Sequence, residues 1–115
     1  MQKQIPMGCE FTPLYTGENG YVVRCRQCGH YQVAFISTAL SLNKQEFHFF
    51  RQLVAQKSTE FSYAFAEHSK CVILETACTG ICLILTWKEL NQLHQVLETA
   101  DAEAQALDLI ILFNK

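Results

Sequence analysis

At 115 residues, half of them hydrophobic and 17% charged, the chain reads as a single domain spanning 1–115. A chain of that size buries a core without needing disulfides or metal. The apolar content excludes disorder, and a formal charge of −2 argues against a general phosphate-binding surface, which needs clustered Lys and Arg.

The opening, Met1 to Met7, lacks the apolar centre of an export signal, so the six cysteines are expected to be cytosolic, reduced or metal-bound. Gly17 to Gly20 (Gly-Glu-Asn-Gly) marks a turn, and Tyr21 to Arg24 is expected to be a strand. Cys25-x-x-Cys28-Gly29 follows, then Tyr31 to Phe35, which alternates as a half-buried strand should. Leu40 and Leu42 lead into Asn43, and Glu46 three residues on outlines a helix N-terminus. Phe47, Phe50, Leu53 and Val54 share one face of that helix, which closes near Lys57 to Thr59 without a glycine cap. Phe49 falls opposite the stripe, beside His48. Burial under a C-terminal helix would account for it, as would a contact surface shared with Trp87.

A shift of 43 residues brings a second copy into register. Leu83, Leu85, Thr86 and Glu89 fall over Leu40, Leu42, Asn43 and Glu46, and Leu90, Leu93, Val96 and Leu97 over the first stripe. Leu74 to Cys78 then answers the strand at Tyr31 to Phe35, and Ala64 to Glu67 the one at Tyr21 to Arg24. The expected fold is α+β: a duplicated β-β-β-α unit over about 21–57 and 64–100, with both helices on one face of an antiparallel sheet. A separate last helix, capped by Asp101, would turn Ala104, Leu107 and Ile111 to the core. The richest apolar run, Leu107 to Phe113, is broken by Asp108 and falls short of the roughly 18–20 residues of a membrane helix. Ile81 to Leu85 does not alternate, so both faces of that strand should be dry, covered either by a terminal segment or by a second copy of the chain.

Cys9, Cys25, Cys28, Tyr31 to Phe35, Leu40, Leu42, Glu46, Phe47, Leu83, Leu85, Glu89, Leu90 and Leu93 together resemble a family of small uncharacterised domains from Bacteroidetes-type bacteria. The resemblance runs from Cys9 to Phe113 and rests mostly on strand and helix positions. It implies a fold and carries no activity.

Cys25 and Cys28 have the spacing at which two thiolates hold one tetrahedral ion, with Gly29 easing the turn. The site expected from them is a structural zinc, with Cys9 as third ligand and Cys71, His68 or His30 as the fourth. His68 and Cys71 sit 43 residues after Cys25 and Cys28, as a second knuckle would. The competing reading is a pair of ordinary thiols in a hairpin. Cys78 and Cys82 read as small buried hydrophobes. No H-E-x-x-H, G-x-S-x-G or phosphate-binding glycine loop is present, so catalysis is not expected. The leading function is a cytosolic interaction or regulatory module, acting as a homodimer or on a protein partner. The alternatives are a zinc-ribbon-like nucleic-acid binder using Arg24, Arg26, His30 and Tyr31, and a thiol redox sensor at Cys25 and Cys28.

Overall fold

The computed structural model describes residues 10–60, 70–76 and 80–114, and only the backbone of 60, 70 and 71. Four strands come first: β1 (Phe11–Gly17), β2 (Gly20–Cys25), β3 (Tyr31–Phe35) and β4 (Thr38–Leu42). They form an antiparallel meander in the order β1-β2-β3-β4. Helix α1 (Lys44–Glu60) follows, then a two-stranded antiparallel hairpin of β5 (Lys70–Glu75) and β6 (Cys82–Thr86), and last the long α2 (Trp87–Phe113).

Strand β1 was not expected from the sequence. Pro13 masks its strand character, yet β1 is an edge strand, where a missing N–H is tolerated. The register slips between Pro13 and Tyr15, and Leu14 in that bulge is buried. The β1–β2 turn closes on Gly20 because a side chain there would collide with the Ala34 carbonyl of β3. Across the meander Val22, Val33 and Leu40 stand opposite one another, and so do Arg24, Tyr31 and Leu42. Successive strand residues alternate faces, so these rows share one side of the sheet.

The helices carry their stripes to that side. Asn43 accepts the Glu46 N–H at 2.8 Å while the Glu46 carboxylate accepts the Asn43 N–H at 2.8 Å. Thr86 and Glu89 make the same reciprocal pair at 3.0 and 2.9 Å, so both expected caps form. Phe47, Phe50 and Val54 of α1 and Leu90, Leu93, Val96 and Leu97 of α2 are buried in one cluster with the sheet. Phe47 stacks on Tyr31, ring centroids 4.1 Å apart and planes within 4°.

The duplication does not extend beyond the strand–cap–helix step. Carried across by 43, the Tyr31–Leu42 pairing would set Leu74 opposite Leu85; instead Leu74 faces Leu83, and Leu85 faces Val72. The cause is loop length: residues 36–37 join β3 to β4, whereas 76–81 join β5 to β6. The expected repeat strand at Ala64 to Glu67 lies outside the described residues. No duplicated β-β-β-α unit is evident, and the six described strands form two sheets rather than one.

The separate last helix is also corrected. Helix α2 runs unbroken through Asp101, which is no cap: it is 6% exposed, in mid-helix. Gln105 one turn on donates to its carboxylate at 2.7 Å, and Arg51 and His48 of α1 approach at 3.8 and 3.9 Å. Ala104 faces the core as expected and Leu107 is half-buried, but Ile111 is exposed.

Candidate functional site

The β2–β3 hairpin ends in the Cys25-x-x-Cys28 turn, and backbone pairing explains why it folds tightly. Cys25 donates its N–H to the His30 carbonyl at 2.8 Å, and Gly29 donates to the Cys25 carbonyl at 3.0 Å. Gly29 takes a φ of +77°, the left-handed region that glycine enters without penalty. Cys28 donates its N–H to the Cys25 sulfur at 3.4 Å. Cys25 is 2% exposed, whereas Cys28 and His30 face solvent. Glu10 is bound to the same turn, accepting the Arg26 N–H and donating to Gln27, each at 2.8 Å.

Of the expected ligands, Cys9 and His68 lie outside the described residues, as does the side chain of Cys71. Among the described residues no three His, Cys, Asp or Glu side chains converge on a common point. The backbone of Cys71 belongs to strand β5, as that of Cys25 belongs to the end of β2. Cys82 is exposed, contrary to its reading as a core residue, and Cys78 lies outside the described residues.

Beside the turn lies a cleft of about 530 Å³. Its floor is Arg24 and Tyr31, the start of α1 contributes Lys44, and the end of α2 contributes Leu107, Ile110 and Ile111. Arg24 holds the two sides together, donating to Asp108 from both terminal nitrogens at 3.0 and 3.4 Å. Its guanidinium also lies 6.0 Å over the Tyr31 ring. Partial burial works against its charge, but Asp108 and the Tyr31 hydroxyl outweigh it and hold the pKa above the usual arginine value. Leu109 to Phe113, which include the cleft residues Ile110 and Ile111, are all exposed, Phe113 at 81%.

A family model covers residues 7–113, from before the Cys25 turn to the end of α2. The chain belongs to DUF6686, a family of unknown function. No curated protein and no solved structure matches it. Membership in DUF6686 assigns no chemistry to the turn or the cleft.

Three further features of this DUF6686 chain bear on its surface. Phe49 is 65% exposed on α1, so burial under a C-terminal helix does not account for it. Ile73 and Ile84 stand directly opposite each other on the outer face of the β5–β6 hairpin, 62% and 57% exposed. The neighbouring Ile36 is the one described non-glycine residue with a positive φ, 56°. No helix among the described residues is long and apolar enough to cross a membrane.

Sequence reasoning missed the cleft, and only a weak signal pointed to it. Arg24 and Asp108 are 84 positions apart, and no local pattern joins them. The apolar run at Leu107 to Phe113 was visible, but its length was weighed only against a membrane helix, and of its residues Leu107 and Ile111 were expected to face the core.

Proposed function

We propose that the protein is a non-catalytic interaction module of the bacterial cytosol that pairs with a second copy of itself through the outer face of the β5–β6 hairpin. The observation that carries this reading is the exposed Ile73–Ile84 cross-strand pair. Ile81 and Cys82 beside it are exposed as well. Ile36 and Ile84 line a shared groove of about 270 Å³. The non-alternating sequence of β6 had called for cover on both faces, and only the face bearing Leu83 and Leu85 is buried within the chain. Two hairpins meeting about a twofold axis would bring the same isoleucines together from each copy, the self-complementary contact a symmetric dimer needs. A contiguous apolar patch of this kind on a small domain marks an interaction surface.

Mass in solution by light scattering tests it, with the wild type expected to be a dimer at micromolar concentration. Ile73→Lys with Ile84→Lys should give a folded monomer with unchanged helix content by circular dichroism. A wild type that stays monomeric as its concentration is raised would remove self-association and leave a different protein as the partner.

A structural zinc at the Cys25 turn is the second reading, and one observation favours it. The Cys28 N–H on the Cys25 sulfur, with Gly29 left-handed, is backbone support of the kind that steadies a metal-ligating thiolate. Glu10 is tied to the turn, and Cys9 precedes it in the chain. Cys9, Cys25 and Cys28 would supply three ligands, with His30, His68 or Cys71 the fourth. The nucleic-acid alternative is not favoured: Tyr31 is buried against Phe47 and has no face to offer a base, and Arg24 and Arg26 are paired with Asp108 and Glu10. Nothing in the geometry favours a redox sensor over these.

A further inference from the structure

We propose that the cleft between the Cys25 turn and the last turns of α2 binds a small amphipathic anion, an oxygen-acid headgroup on an aliphatic chain. At about 530 Å³ the space falls within the roughly 300–1,000 Å³ of small-molecule sites. Its two sides differ in chemistry. One is the branched aliphatic wall of Leu107, Ile110 and Ile111; the other carries the cations Arg24, Arg26 and Lys44. Asp108 is the single carboxylate on the lining and Glu10 pairs with Arg26 at 3.5 Å, so three positive charges meet two negative ones and Lys44 is left in excess, in a chain whose formal charge is −2. The local field therefore opposes that of the whole molecule and attracts an anion.

The wall specifies the rest of the ligand. Ile110 and Ile111 are exposed, and covering them with hydrocarbon removes apolar surface from water. Tyr31 presents no free ring face, because it stacks on Phe47, so a flat aromatic or a nucleobase gains no partner. A flexible aliphatic chain suits the isoleucine wall. Its headgroup would meet Lys44 and Arg24; the guanidinium has five N–H groups, more than Asp108 and the Tyr31 oxygen consume. Carboxylate and phosphate share this chemistry. The site does not depend on the hairpin face proposed for dimerisation, since no residue of β5 or β6 lines it.

Titration of the full chain with decanoate, decyl phosphate, decanol and acetate, followed by calorimetry and by the isoleucine methyl NMR signals, tests the proposal. Decanoate or decyl phosphate should saturate one site per chain, and whichever is tighter identifies the headgroup. Decanol, lacking the charge, should bind at least about tenfold more weakly, the loss of one charge-assisted contact. Acetate, lacking the chain, should also bind at least about tenfold more weakly because it covers none of the isoleucine wall. Lys44→Gln should weaken the anion severalfold. Asp108→Asn should tighten it severalfold, because it removes the competing carboxylate and releases Arg24; a purely structural ion pair predicts no gain. Absence of saturable binding below micelle-forming concentrations would overturn the proposal. So would decanol binding as tightly as decanoate, or a folded Asp108→Asn protein that binds no better than wild type.

Discussion

Phe49 and Phe50 are neighbours in sequence with opposite surroundings, and that contrast makes the sharpest stability test. Phe50 is fully packed between the sheet and α2, whereas Phe49 points outward. Phe50→Ala should lose about 3–5 kcal/mol through transfer and cavity terms, and Leu93→Ala about 2–5. Phe49→Ala should change stability by less than about 0.5 kcal/mol. Denaturant titration of the three variants checks this, and equal losses at 49 and 50 would mean the helix face is misassigned. Ile36 offers a second test. A β-branched residue at a φ of 56° costs about 1–2 kcal/mol relative to a residue at ease there. Asn tolerates that conformation, so Ile36→Asn should raise stability by about 1 kcal/mol. If the groove it shares with Ile84 belongs to the dimer contact, the same change should weaken association. Gain in one property with loss in the other is the signature of a strained residue kept for its contacts.

At the level of the elements, α1 and α2 are held together by more than leucine stripes. Arg51 binds both Glu98 oxygens at 3.1 Å, and its Nε approaches the buried Asp101. The two acids are not equivalent, because Glu98 is well exposed and Asp101 is not. Removing the buried one takes the nearest counter-charge from the Arg51 Nε, a buried N–H that already lacks a hydrogen-bond partner, and leaves Gln105 without its acceptor. Asp101→Ala should therefore cost about 2 kcal/mol, while Glu98→Gln should cost under about 1 kcal/mol. Thermal melts of the two variants at one salt concentration would show the difference; a larger loss at Glu98 would contradict the burial argument. Asp101 also shows how a local rule is overruled. Asp after Ala100 has the look of a cap, but Gln105 donates to its carboxylate where it stands and Arg51 lies 3.8 Å away as a counter-charge, so the helix continues.

For the molecule as a whole, the four-stranded sheet, both helices and the hairpin share one hydrophobic cluster, and of the 25–30 turn only Cys25 is buried, outside that cluster. This decides what metal removal should do if zinc is bound. Chelation should loosen the segment around Glu10 and the 25–30 turn while the helix signal and most of the melting transition persist, unlike isolated fingers, which unfold without metal. Elemental analysis near one zinc per chain, lost in the Cys25→Ser, Cys28→Ser double variant, would establish the site. Protein purified metal-free under reducing conditions, with amide exchange in that turn unchanged by added zinc, would make it an ordinary hairpin. The arrangement also explains how one small domain carries two candidate surfaces. The hairpin face and the cleft share no lining residue, so the proposed dimer and the proposed anion would not compete.

What the amino-acid sequence determined by itself is whatever closes within a few residues. The Asn43–Glu46 and Thr86–Glu89 caps, the stripes from Phe47 and Leu90, and the glycine-eased turn at Cys25 all formed as read. Each depends on partners three or four positions away, whose geometry the helix or turn supplies. Register across the second hairpin was not legible, because a six-residue connection in place of two changes which leucines face each other without altering the strand pattern. That slip undid the duplication. Strand β1 was hidden by Pro13, which is tolerated because β1 lies at the sheet edge. The exposure of Cys82 and Ile84, the continuation of α2 through Asp101, and the cleft closed by Arg24 and Asp108 were decided by the tertiary structure. Each joins groups far apart in the chain, and only the packing of sheet and helices determines whether such groups meet.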